Sequence, residues 1–196
     1  MKLKWAKPMQ YEVEQKYVVA DRVSLELQLD KFGIVWGETV QQRDAYYNHP
    51  ARDFSKTDEA IRIRSSAGKD CITYKGPRID QMTKTRQEIE IPLAAHTTSD
   101  AAEQLLVALG FTYVAVVEKT RRTGTLTWQD YPLTIAIDEV ADLGTYIELE
   151  LMASEESLSA AQAVVQQAAD KLQLQGSIRV GYLDLLLSDS HLQSHQ

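Results

Sequence analysis

Charged residues recur two positions apart along much of this chain, with apolar residues between them, and that alternation constrains the fold more than any other feature. In a strand, residues two apart share a face, so Glu12, Glu14 and Lys16 project to one side while Val13 and Tyr17 project to the other. The same parity joins Arg62 with Arg64, Arg86 with Glu88 and Glu90, Lys119 with Arg121, and Glu148 with Glu150. Lys75 and Asp138 add single charges from two more segments. The opposite faces carry Ile61 and Ile63, Ile89 and Ile91, Leu133, Ile135 and Ile137, and Ile147, Leu149 and Leu151, which are expected to pack under helices.

One charged strand is ordinarily a solvated face. Seven at matched parity are different, because a sheet of that size curls and closes and brings those faces together around an interior. The expected strands are 11–19, 39–47, 59–66, 70–76, 85–91, 113–121, 122–129, 133–138 and 145–152. Short turns, such as Ala67-Gly68-Lys69-Asp70 and Gln129-Asp130-Tyr131-Pro132, make neighbours antiparallel. Helices are expected at 22–32 with Asp21 as its cap, at 100–109 with Ser99 or Asp100 as its cap, and at 155–174, with a last turn at 182–187. The fold class is α+β: an antiparallel barrel of eight or nine strands forming a tunnel, with helices packed outside. No repeat or linker divides residues 1–196, so one domain is expected, with its core at 11–187 and a frayed polar tail at 188–196.

Composition narrows the function. A formal charge of -7 argues against general binding to nucleic acid, which needs a basic surface. No apolar run spans a bilayer, and the lysines of Met1–Gln10 are not followed by the apolar stretch of a secretory signal. Together with the lone Cys71, this points to the cytoplasm. His49, His96, His191 and His195 lack ligand spacing, so a histidine metal site is not expected. Trp36, Trp128, Tyr46, Tyr47 and Tyr113 read as packing residues.

If the charged faces line one interior, seven acids (Glu12, Glu14, Glu88, Glu90, Asp138, Glu148 and Glu150) meet seven bases (Lys16, Arg62, Arg64, Lys75, Arg86, Lys119 and Arg121). Charge buried at that density calls for a wet lumen and ions that complete its electrostatics. Arg and Lys match phosphate oxygens, and clustered carboxylates match Mg²⁺, which keeps several waters and bridges to phosphate. The chemistry is that of a metal–polyphosphate site.

The run Glu12-Val13-Glu14-Gln15-Lys16 resembles the ExExK signature of the CYTH superfamily, the triphosphate tunnel metalloenzymes. Arg62-Ile63-Arg64 resembles its RxR strand, Tyr74-Lys75-Gly76-Pro77 its KGP strand, Arg86-Gln87-Glu88-Ile89-Glu90 its RxExE strand and Glu118-Lys119-Thr120-Arg121 its EKxR strand. Asp138, Leu143-Gly144 and Glu148-Leu149-Glu150 resemble its D…LG…ExE ending. Six motifs in the expected order, over about residues 11–187, make the resemblance specific. The segment Asp44 to Pro50, with Arg52-Asp53-Phe54 after it, looks closer to proteins described as class IV adenylyl cyclases than to animal thiamine triphosphatases. Gly181-Tyr182 stands where the family often has Ser-Tyr, which leaves a hydroxyl contact near the tunnel mouth open.

The resemblance implies an enzyme in which Lys16, Arg62, Arg64, Lys75, Arg86, Lys119 and Arg121 grip a triphosphate. Glu12, Glu14, Asp138, Glu148 and Glu150 hold one or two Mg²⁺ ions, or Mn²⁺ in their place, and with Lys16 form the catalytic set. Glu88 and Glu90 are either further ligands or ion-pair partners that orient Arg86 and Lys75. The implied reactions are cyclisation of ATP to cyclic AMP and pyrophosphate, or hydrolysis of ATP, tripolyphosphate or thiamine triphosphate. The alternative from another class is a non-catalytic sensor of nucleotide or polyphosphate. A homodimer is compatible with the sequence, but no motif specifies one.

Overall fold

The computed structural model describes residues 10–79, 85–94 and 97–193. Among these residues eight strands run in chain order: β1 (Gln10–Val18), β2 (Val35–Asn48), β3 (Ala60–Ser65), β4 (Cys71–Arg78), β5 (Arg86–Pro92), β6 (Thr112–Trp128), β7 (Tyr131–Val140) and β8 (Gly144–Ser154). They form a closed antiparallel barrel in the order β1-β5-β4-β3-β2-β6-β7-β8, with β8 returning to β1. The β1–β8 ladder is long, running from Gln10↔Ser154 to Val18↔Tyr146. The β1–β5 seam is brief, with Tyr11↔Gln87 and Glu12↔Arg86 its two registered pairs.

The two strands expected at 113–121 and 122–129 are one. β6 continues through Arg121-Arg122 because no turn former interrupts it, and its long edge pairs with β2 on one side and β7 on the other. β2 accordingly starts at Val35 rather than 39, following β6 along its whole length. The approach is close at Gly124, where a Cβ would lie 2.7 Å from the Ile34 side chain, so only glycine fits without a shift. The expected turn at Gln129-Asp130 holds. Both residues have positive φ, 47° and 68°, as the tight hairpin between twisted strands requires.

Among the described residues, five helices lie outside or across the barrel. α1 (Arg22–Lys31) is capped by Asp21, whose side chain accepts from the Ser24 amide, as expected. The short α2 (Phe54–Thr57) was not expected from the sequence and is capped by Asp53. α3 (Ser99–Ala108) takes its cap from Thr98 rather than Ser99 or Asp100, since the Thr98 side chain accepts from the Ala101 amide. α4 (Leu158–Lys171) begins after a tight turn at Glu155–Ser157, so it is shorter at both ends than the apolar period suggested. α5 (Tyr182–Gln193) runs well past the short last turn expected at 182–187, and the tail is helical as far as Gln193. The segment before Gln10 and the end of the tail, 194–196, lie outside the described residues, as do His96 and His195. No helix among the described residues is long and apolar enough to cross a membrane.

The main core forms where α1 and α4 cover the outward faces of β1, β7 and β8. Val13, Leu133, Ile135, Ile147 and Leu149 there meet Leu29, Val165, Ala168 and Ala169. A second cluster packs Ala102 and Leu106 of α3 on Ala45, Tyr47 and Ile63. The outward face of β5 departs from expectation: Ile89 and Ile91 are 46% and 55% exposed. α3 and α4 pack mainly on other strands, which leaves these two side chains about half exposed.

Candidate active site

Every residue of the charged rows has the lumen parity expected of it. The β1–β8 register sets Glu14 opposite Glu150 and Lys16 opposite Glu148, while Glu12 meets Arg86 across the seam. β6 pairs with β7 so that Arg121 faces Asp138, and β4 pairs with β5 so that Lys75 faces Glu88. These side chains line one cavity of about 700 Å³, within the range of small-molecule sites. Asp138 lies beside the cavity, fully buried behind Lys119 and Arg121.

The bases are held by carboxylates. The Asp138 Oδ1 accepts from Arg121 Nε at 2.7 Å, and its Oδ2 accepts from Arg121 Nη2 at 2.6 Å, Lys119 Nζ at 3.0 Å and the Tyr182 hydroxyl at 2.9 Å. Arg121 also pairs with Glu148 and lies 3.6 Å from Glu150. Lys75 donates to Glu12 Oε2 at 3.3 Å and pairs with Glu88. Lys16, 1% exposed, sits 4.0 Å from Glu148 Oε1, and its ammonium lies 3.8 Å from the centre of the Tyr182 ring. Arg86 turns to the rim, 3.7 Å from Asp58, which is itself forked by Arg78. Glu90 is exposed, within 3.5 Å of the Thr73 hydroxyl.

Sequence reasoning missed two members of this network. Asp44 of β2 is 1% exposed and accepts from both Arg62 and Arg64. Its only signal in the sequence is an acid at strand parity, and Arg43 beside it, which faces outward to Glu103 at 2.9 Å, makes the pair look like ordinary surface charge. Tyr182 crosses the end of the barrel on α5. It closes an apolar plug with Tyr46, Val117, Val140 and Tyr146, which continue the charged rows at the same parity. Gly181 supplies no side-chain hydroxyl where the family often has Ser, and the hydroxyl contact made here is that of Tyr182 with Asp138. His49 packs its ring against Phe54 and Phe111, and Tyr46 and Tyr47 are buried, in keeping with packing roles.

The electrostatics are strained on one side. Burial pushes the Glu150 carboxyl up to about 8, with Glu12, Glu148 and Glu14 adding repulsion against the pull of Arg121. Burial and the neighbouring Arg121 lower the Lys119 ammonium to about 8, although Asp138 pulls it up. Burial also lowers Lys75, despite Glu12 nearby. Burial opposes ionisation of Asp138, but Arg121 and Lys119 overcome it and hold the carboxyl below the usual range. In Tyr182, burial and then the charges of Glu148 and Asp138 keep the hydroxyl protonated.

A hard divalent cation fits the glutamate side by donor chemistry, since its protein ligands would be carboxylate oxygens and the crowding around Glu150 marks repulsion that a cation would relieve. Among the described residues no three acidic side chains are already gathered at ligating distance, because Glu12 and Glu148 are drawn to Lys75, Lys16 and Arg121. The ligands fit as a set that trades bases for metal. Asp138 fits less well, with both its oxygens taken by donors.

Comparisons with known proteins agree with this architecture. The chain is 37% identical over 139 residues to a protein of Methanocaldococcus jannaschii named as a putative adenylate cyclase, covering 71% of this chain and 75% of that one. The structure is similar to the PH1819 protein of Pyrococcus horikoshii OT3, with a TM-score of 0.79, 35% identity, and coverage of 91% of this chain and 99% of that one. The fold also matches a Hippeastrum protein, HpAC1, named as a putative adenylyl cyclase and described as having a dominant triphosphatase activity; the TM-score is 0.59 at 14% identity, covering 93% of this chain and 96% of that one. The CYTH domain model matches residues 10–181, which hold every motif strand that lines the tunnel, and the chain therefore belongs to the CYTH domain family.

Proposed function

We propose that this protein is a metal-dependent enzyme that holds a triphosphate in its tunnel and cleaves or transfers one phosphorus–oxygen bond. The observation that carries the reading is the division of the lumen into a basic side and a glutamate side facing one cavity, which suits a polyanion bridged to a divalent cation. Arg62, Arg64, Lys119 and Arg121 grip phosphate oxygens on one side, with Lys16 and Lys75 between them and the glutamates and Arg86 at the rim. Glu12, Glu14, Glu148 and Glu150 would hold Mg²⁺, or Mn²⁺, with Asp138 joining them only by releasing its bases. The cation would neutralise charge on the phosphate oxygens. Phosphoryl transfer needs positioning and charge compensation more than covalent help, and the fixed bases provide both.

Two reactions fit this cage. In cyclisation, the ribose 3′-oxygen of ATP bonds to the α-phosphorus, the bond to the departing pyrophosphate breaks, and the hydroxyl proton leaves to solvent or to a basic group. In hydrolysis, a water oxygen bonds to the terminal phosphorus, and the bridging P–O bond breaks with the proton passing to phosphate. The Methanocaldococcus and Hippeastrum proteins are both named as adenylyl cyclases, and the second is described as having a dominant triphosphatase activity, so both reactions stand in the proposal. Both belong in the cytoplasm, where ATP and Mg²⁺ are plentiful, and the buried thiol of Cys71 suits a reducing compartment.

The test is to incubate purified protein with Mg²⁺ or Mn²⁺ and ATP, tripolyphosphate or thiamine triphosphate, and to assay cyclic AMP, pyrophosphate and phosphate separately. Phosphate without cyclic AMP removes the cyclase. Tight binding with no turnover under either metal replaces the enzyme with a polyphosphate sensor.

A further inference from the structure

We infer that Asp44 is a positioning residue: its buried carboxylate braces Arg62 and Arg64 so that their remaining donors face the phosphates. The inference rests on the triphosphate reading above. Asp44 and Arg64 are registered directly across the β2–β3 ladder, so the fork is built into the strand pairing. The Asp44 Oδ1 accepts from Arg64 Nε and the Oδ2 from Arg64 Nη2, each at 2.7 Å, and the Oδ2 also accepts from Arg62 Nη1 at 3.2 Å. Bidentate geometry of this kind fixes a guanidinium plane more firmly than a single bond does. Among the described residues the buried Nε of Arg62 has no hydrogen-bond partner, so the brace leaves one donor of this guanidinium unused. One carboxylate for two guanidiniums also leaves the pair with net positive charge, as a phosphate-gripping surface requires.

Asp138 repeats the device on the neighbouring strand pair, β6–β7, which adjoins β2 in the barrel. There too one oxygen takes an arginine Nε at 2.7 Å, and the other takes that arginine's Nη2 and a second base, Lys119, at 3.0 Å. Two strand pairs thus arrive at the same fork-plus-one arrangement, and in both the bases are those that the cavity presents to its contents. An acid that serves only as ballast for charge does not need the fork.

The brace and a plain charge make opposite predictions, which the isosteric Asp44→Asn separates. Removing a negative charge from the lumen would tighten binding of a polyanion if Asp44 acted only through its field. As a brace, its loss frees both arginines and weakens binding. The experiment titrates diimidotriphosphate, a hydrolysis-resistant polyphosphate, with Mg²⁺ into the full chain by calorimetry and follows thermal melting in parallel. Asp44→Asn is expected to weaken binding about tenfold or more, the scale of a lost charge-assisted hydrogen bond. In an Arg64→Lys background, where no fork can form, its effect is expected to shrink, because the two residues act as a unit. Tighter or unchanged binding by Asp44→Asn overturns the brace. If that variant loses its cooperative melt, Asp44→Glu decides: it keeps the charge and lengthens the arm, so weaker binding supports the brace and unchanged binding overturns it. A wild-type protein that binds no polyphosphate overturns the functional reading itself, and the brace falls with it.

Discussion

On the β1–β8 side of the tunnel four glutamates crowd together, and burial with mutual repulsion pushes Glu150 up to about 8. On the β2–β3 and β6–β7 sides the charges are matched: Asp44 serves Arg62 and Arg64, and Asp138 serves Arg121 and Lys119. The first region is electrostatically incomplete and the second is prearranged. The difference teaches where an incoming ion would gain most. A cation relieves repulsion among carboxylates that are already desolvated, whereas a polyanion meets bases whose geometry has been fixed in advance.

Breaking the incomplete side should have the largest effect. Glu12→Ala or Glu14→Ala is expected to lower turnover by about a thousandfold or more, since several kcal/mol of transition-state stabilisation leaves with the metal. The circular dichroism melt should stay cooperative. Loss of folding would show instead that these acids are structural and that the two sides do not differ in kind.

Breaking the braced side should act on affinity. Arg62→Ala or Lys119→Ala is expected to raise the apparent Kd for the metal–triphosphate complex about tenfold to a hundredfold, in line with lost charge-assisted hydrogen bonds. An unchanged Kd would contradict the grip assigned to them.

Titration sharpens the comparison. With its folded value near 8, Glu150 is mostly protonated at pH 7, so binding Mg²⁺ there should release up to about one proton per metal. The release should fade as pH rises past about 8, because the proton is then already gone, and it should be missing in Glu150→Gln. Calorimetry in buffers of different ionisation enthalpy measures it. Lys119, lowered to about 8, works in the opposite direction: above that pH it loses its charge and the grip on phosphate weakens. Metal affinity should therefore rise, and phosphate affinity fall, over the same range.

The smallest effect is expected from Tyr182→Phe. It removes one of four donors to Asp138 while leaving the Arg121 fork, so turnover should fall only a few-fold, with stability lower by about 1 kcal/mol. A hundredfold loss would mean that the hydroxyl touches the reacting groups and does more than brace Asp138.

Much of this was legible in the residues. The spacing of two between Glu12, Glu14 and Lys16, between Arg62 and Arg64, and between Glu148 and Glu150 is a local property of strands, and it puts these side chains on one face whatever the tertiary structure. Local signals failed where packing decided. Arg121-Arg122 looked like a break between strands, but partners on both edges carry β6 straight through. Ile89 and Ile91 have the same alternation as the buried Ile147 and Leu149, yet both stay about half exposed, because the helices pack mainly on other strands.

The alternation of charge and hydrocarbon, by itself, determined that the sheet has one ionic and one apolar face and that the ionic faces belong together, because side-chain parity is fixed by the backbone. Only the tertiary structure decided which charges meet. Pairing depends on strand order and register between segments far apart in the chain. That is what brought Asp44 to Arg64, laid Tyr182 over Lys16 and Asp138, and left Glu150 crowded among carboxylates with too few bases to match.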